Sequence, residues 1–320
     1  MTWLTWRQHR GEALALGLMV AVIGIILLVL GLPMHDLFPL GANHCAVPPI
    51  DDGCRIGLTQ LQQDYGYATP ILTLLNLVPF AIGAFLGAPL LARELEDGTW
   101  QLAWTQAVPR MRWLAVKLTA LGMLTVLLTA VFSSLTTWYH QPLDLLGRFE
   151  IDGFDVSRVV PLAYALFAFA VAAAGGAVLR RSLPAMAAAL VAFVAVRATV
   201  AVWLRPNYRT PISLIETIPA GSGNVQIGTG NLQDGILGEG LSDATGNHLS
   251  NVAVSILDHK ARDAGMDPTT YLHDQGIHRW VSYQPADRFW TFQLIETGIF
   301  VGLAAILLVL VIWRVKRRAL

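Results

Sequence analysis

Charge is scarce in this chain: Asp, Glu, Lys and Arg make up 14% of its 320 residues and hydrophobic residues 54%, which excludes a soluble domain of this size. A mean hydropathy of +0.53 agrees, and the chain reads as a membrane protein. Net charge is absent too. With 22 basic and 22 acidic residues there is no basic surplus to attract nucleic acid. Catalytic motifs are missing: no H-E-x-x-H, no G-x-S-x-G, no paired carboxylates within an apolar run and no cysteine nucleophile with an evident base, so no catalytic residue is expected. There is no G-x-x-x-x-G-K-[ST] either; the glycine-rich PAGSGNVQIGTGN lacks strand–loop–helix context and reads as irregular loop, leaving this chain without a nucleotide cofactor site. Cysteine is limited to Cys45 and Cys54. Even with His44 beside them they lack a second ligand pair, and four of the eight histidines, His248, His259, His273 and His278, fall in one region without compelling spacing, so no metal site is expected.

What is abundant is apolar runs. Six of them suffice to cross about 30 Å of hydrocarbon as helices of roughly 20 residues: Ala13–Leu32, Thr69–Ala92, Trp113–Tyr139, Val159–Leu179, Leu183–Leu204 and Phe289–Trp313. The first is longer than a signal-peptide core and is not followed by a convincing cleavage site, so it is expected to stay. The expected fold is an all-α polytopic membrane protein. With the N-terminus inside, segments 1–12, 92–117, 180–182 and 314–320 hold 12 Lys/Arg and 4 Asp/Glu, whereas the longer outer segments 33–68, 140–158 and 205–288 hold 9 and 17. The positive-inside rule therefore places both termini in the cytoplasm of a multi-pass plasma-membrane protein.

In order, residues 1–12 suggest an interfacial helix with Trp3, Trp6 and Arg10 on one side. Residues 13–204 make five spans. Cys45 and Cys54, nine apart on an oxidising face, are expected to form a disulfide that closes a small loop, two free thiols being the alternative. Gly83 and Gly87 have the small-xxx-small spacing of close helix packing. The turn Arg180, Arg181, Ser182 makes the fourth and fifth spans a hairpin. Residues 205–288 form an outer subdomain, irregular at first and then helical, with Ser250 and Asp267-Pro268 as starts of segments through Ala264 and Gln275. Residues 289–320 are the sixth span and a basic tail. Arg197 and Glu296, each seven residues from the outer end of its span, lie at equal depth about 10 Å down and are expected to pair. Such a pair fixes helix packing or lines a substrate route.

The connection Leu91–Lys117, LARELEDGTWQLAWTQAVPRMRWLAVK, is the most informative stretch. Thr99 can cap a short helix, 99–107, with Trp100, Ala103, Trp104 and Ala107 on one face, and Pro109 ends it. Its tryptophans either anchor at the headgroups or dock a soluble partner. An acidic E-x-x-x-G-T-(x)-x-L stretch, then Pro-x-Arg and a basic start to the next span, here Glu94, Gly98, Thr99, Leu102, Pro109, Arg110 and Lys117, resembles the permease subunits of type-2 ABC transporters. AWTQ-V-R-RW is similar to actinobacterial members, and the six-span plan fits. The larger outer region and cysteine loop depart from the minimal pattern.

The resemblance implies a membrane subunit that joins a second permease subunit, homo- or heterodimeric, and two separate ATPase subunits carrying ATP and Mg. It implies export of a drug-like, lipid or peptide substrate. In that reading the 99–107 helix couples to the ATPase, with Glu94, Glu96, Arg110 and Arg112 holding it to its spans. Two alternatives come from other classes: a receptor or scaffold with an outer sensing subdomain, and an intramembrane enzyme.

Overall fold

The computed structural model describes residues 2–66, 68–96, 110–221 and 229–317, with the backbone alone at 2–5, 68–71, 94–95 and 110. Among the described residues, six helical stretches are long and apolar enough to cross a membrane: Trp6–Asp36, Leu72–Arg93, Met111–His140, Val160–Leu179, Ser182–Asn207 and Ala286–Arg317. They match the six runs read from the sequence. The expected interfacial helix does not separate from the first span, because α1 is continuous over Thr2–Asp36.

After α1 a 3₁₀ turn (Ala42–Cys45) and α2 (Asp52–Tyr65) are held together by the Cys45–Cys54 disulfide. The second span comprises α3 (Ala68–Leu75), α4 (Val78–Gly87) and α5 (Pro89–Glu96). Pro79 and Pro89, lacking N–H donors, begin new helices there instead of continuing the old ones. The third span is α6 (Arg110–His140), followed by two one-turn helices, α7 (Asp144–Gly147) and α8 (Ile151–Phe154). Then come α9 (Val160–Leu179) and α10 (Ser182–Thr199), which runs on through a π turn over Val200–Leu204 and a 3₁₀ turn over Arg205–Asn207.

Helix α9 is the axis of the bundle. It packs on α4, α5, α6, α10 and α13 (Phe289–Arg317), and most of its residues are buried. Glycine lets α4 approach: a Cβ at Gly83 would lie 2.7 Å from the Phe169 amide nitrogen, and one at Gly87 3.0 Å from the Phe169 Cα. The second and fourth spans are largely buried, whereas the other four turn most of their surface outward, as helices facing lipid or another subunit do.

The region between the fifth and sixth spans departs from expectation. It holds a three-stranded antiparallel sheet in the order β1 (Ile212–Thr217), β3 (His278–Gln284), β2 (Gly235–Ser242). Strand β3 pairs Val281 with Leu214 on one side and with Glu239 on the other. The glycines that make β2 look like a loop serve the sheet: a Cβ at Gly240 would stand 3.0 Å from the Trp280 indole nitrogen, so the ring lies flat across the strand. His248 stacks on Trp280 at 4.0 Å. The two expected helices are present as α11 (Asn251–Asp263), capped by Ser250, and α12 (Pro268–Asp274), capped by Asp267.

Candidate functional site

Beneath the subdomain, charged side chains from three segments and a tyrosine from a fourth meet inside the bundle. The fifth span supplies two arginines eight residues apart, which on a regular α-helix would point about 80° from each other. The π turn over Val200–Leu204 adds a residue to the winding and brings Arg205 back to the face of Arg197. Helix α13 supplies Glu296, fully buried, and the end of α8 supplies Asp155, 1% exposed. From α9 comes Tyr164.

Arg205 is the hub. Its Nε donates to Glu296 Oε2 at 3.0 Å and its Nη2 to Glu296 Oε1 at 2.7 Å, a bidentate pair. Nη2 also donates to Asp155 Oδ1, and the guanidinium lies 4.2 Å over the Phe154 ring. Arg197 Nη2 donates to Asp155 Oδ2 at 2.7 Å and to Asn76 Oδ1 at 2.5 Å, while Nη1 reaches the Asn76 carbonyl at 3.2 Å. Asn76 is available because the second span breaks between α3 and α4. The Tyr164 hydroxyl, with one proton to donate, lies within hydrogen-bond reach of both Glu296 and Asp155 Oδ1, the latter 3.1 Å away. Tyr208 adds a hydroxyl 3.3 Å from Glu296 Oε2; burial, then the neighbouring Glu296 charge, raises that phenol well above its ordinary value. Two guanidiniums thus balance two carboxylates.

The expected Arg197–Glu296 pair is therefore corrected. Both residues belong to the cluster, but Arg197 bonds Asp155 and Asn76, whereas Glu296 is taken by Arg205. Depth was legible from span ends; the rotation imposed by the π turn was not. Nothing local in the sequence marks Arg205, which follows the last apolar residue, or Asp155, which lies in a short acidic outer connection. A signal was present: two intramembrane charges with no partner on their own helices require partners from the connections.

A second cluster abuts the first. Asp144 accepts from Arg158 Nη2 at 2.6 Å and lies 2.8 Å from His140 Nδ1. Arg148, whose guanidinium sits 4.0 Å over the Phe289 ring, donates to Gln233 Oε1 at 3.3 Å; burial lowers its pKa from the ordinary value, partly offset by Asp144. Gln293 ties the sixth span to this corner, accepting from the Val159 and Val160 amides at 3.3 and 3.2 Å and donating to the Phe154 carbonyl at 2.9 Å. A cleft of about 280 Å³ opens from the cluster toward the subdomain, with Arg205, Glu150, Asp234 and Gln284 among polar walls and Phe149 and Phe292 among apolar ones. Asp234, raised by burial, accepts from the Ala286 amide at 2.8 Å and so pins β2 to the head of the sixth span.

At the opposite end of the bundle, Gly98, Thr99, Trp100, Leu102, Trp104 and Pro109 lie outside the described residues, and of Glu94 and Arg110 only the backbone is described. Glu96 is placed: its carboxylate accepts from the Ser182 amide at 3.2 Å and the Ser182 hydroxyl at 2.8 Å, capping the start of α10. Arg93 Nη1 donates to Glu12 Oε1 at 2.8 Å, fastening α5 to α1. The end of the second span is thereby clamped to the first and fifth. Among the described residues, no three His, Cys, Asp or Glu side chains are grouped to hold a metal.

The arrangement is an ionic cluster under the subdomain, a clamp at the other end, and α9 between them. No curated protein and no solved structure matches the chain. The family model described as "ABC-2 membrane transporter related" matches residues 17–205, more than half of the chain, including the Arg197–Asp155–Arg205 part of the cluster. The chain belongs to the ABC-2 membrane transporter-related family and is a multi-pass membrane component of a transporter.

Proposed function

We propose that the chain is a permease subunit in the plasma membrane, with both termini cytoplasmic. It forms a translocation pathway with a second permease subunit and is driven by separate ABC ATPase subunits to export a drug-like, lipid or peptide substrate. The observation that carries this reading is the clamp of Glu96 on Ser182, at the edge of the 97–109 connection. A push delivered to that connection reaches the fifth span directly, through a carboxylate at a helix N-terminus, as well as the second and third spans by chain continuity. The fifth span leads to Arg197 and Arg205, so the motion arrives at the ionic cluster. No P-loop motif lies in these 320 residues, which supports ATP chemistry on a partner chain.

The test is purification of the full tagged chain from its native membrane under mild detergent. A chain bearing a Walker motif is expected to co-purify in stoichiometric amount, with vanadate-sensitive ATP hydrolysis. Recovery of the chain with no ATPase at any nucleotide concentration overturns the reading in favour of a receptor or scaffold.

A further inference from the structure

At the end of the bundle away from the subdomain, α1 and the α4–α5 pair leave a groove of about 670 Å³ between them. Its mouth is ionic, with Arg7, Arg10 and Glu12 from α1 and Arg93 from α5. Among the described side chains, three guanidiniums and one carboxylate line this mouth, and the carboxylate is taken by Arg93. Deeper in, the walls turn apolar: Ala15, Leu16 and Met19 from α1 face Ala81 and Phe85 from α4. From Arg10 to Met19 is nine residues, about 13 Å of helix, close to the roughly 15 Å of hydrocarbon in one leaflet. The wall is open at Gly11, where an added Cβ would meet no atom within 4 Å.

We propose that this groove binds one acidic phospholipid, its phosphodiester at Arg7 and Arg10 and an acyl chain along Leu16, Met19 and Phe85. Guanidinium matches phosphate oxygens in charge and fork geometry, and an acyl chain gives the apolar wall a partner that free phosphate lacks. A second copy of the chain fits poorly: a two-fold contact through this surface would set the cationic mouth against itself. The inference is independent of the ATPase, and the lipid would hold the first span against the second beside the Arg93–Glu12 bridge.

Native mass spectrometry of the full-length protein, titrated with phosphatidylglycerol and phosphatidylcholine of matched acyl chains, tests it. One phosphatidylglycerol per chain is expected to survive at energies that strip phosphatidylcholine. The pair Arg7→Gln/Arg10→Gln should weaken phosphatidylglycerol by roughly thirtyfold, from about fivefold per basic residue, and leave phosphatidylcholine unchanged. Gly11→Leu, which fills the groove while improving helix propensity, should abolish the retained lipid with the protein still folded. If the arginine pair fails to fold, Gly11→Leu alone decides. Equal retention of the two lipids, displacement of phosphatidylglycerol by inorganic phosphate at equal concentration, or full retention in Gly11→Leu overturns the proposal.

Discussion

Two arginines and two carboxylates, drawn from the fifth and sixth spans and the connection before the fourth, sit where an unpaired charge costs several kcal/mol. Removing one therefore harms more than its own bonds. Glu296→Gln leaves two guanidiniums facing Asp155 alone and should destabilise the protein by about 3–5 kcal/mol, read as a lowered thermal midpoint in detergent. In double-mutant cycles, Arg205→Met with Glu296→Gln should show coupling of about 1–3 kcal/mol, larger than that of Arg197→Met with Glu296→Gln. A larger Arg197–Glu296 coupling would restore the direct pair that span depth suggests. In the subdomain, Asp243 is held down at about 2, from an ordinary 3.8, by the Thr245 hydroxyl and then the Asn247 amide. Its contribution is fully present above the unfolded value and is lost as pH falls through the folded one, so the 243–247 turn should loosen between about pH 4 and pH 2. Carboxyl chemical shifts of Asp243 follow this; a midpoint near 4 would contradict it.

At the scale of elements, length and apolarity made the six spans readable, because crossing hydrocarbon as a helix imposes both. The Ser250 and Asp267-Pro268 starts were readable from capping chemistry. The sheet was not. Gly235, Gly238 and Gly240 erase the apolar alternation of β2, and their reason lies in Phe149 and Trp280, distant in sequence. The π turn leaves no local mark either, since VAVWL is an ordinary apolar run. Gly83 and Gly87, by contrast, were legible as a packing pair. Gly83→Ala drives a methyl into the backbone of α9 and should cost about 1–3 kcal/mol or more, whereas Gly122→Ala, with no atom within 4 Å, should be neutral or stabilising by up to about 1 kcal/mol. Equal effects in a detergent melt would dismiss the close α4–α9 contact. The Cys45–Cys54 disulfide joins the 3₁₀ turn to α2 across nine residues and should contribute about 2–3 kcal/mol by restricting the unfolded chain. Cys45→Ser/Cys54→Ser should lower the thermal midpoint, and non-reducing peptide mapping should find the native pair linked.

Over the whole molecule, the ionic cluster and the Glu96 clamp stand at opposite ends of the fifth span, with the axial α9 packed between α4 and α13. A rigid span between two fastened ends transmits displacement instead of absorbing it. In the proposed function the displacement comes from an ATPase seated on residues 99–107, for which the sequence leads us to expect a short helix whose tryptophans fill a cleft on that partner, since buried aromatic anchors dominate such contacts. The membrane-anchor reading of the same tryptophans predicts altered insertion with the ATPase still bound. The most direct measurement is recovery of ATPase subunits and their ATP hydrolysis on Trp100→Ala/Trp104→Ala, with membrane yield as control. The account predicts normal yield, at least about tenfold weaker ATPase retention, the loss expected from removing anchors of 1.4 kcal/mol or more, and no substrate-stimulated hydrolysis. Undiminished recovery of a fully stimulated ATPase would contradict it.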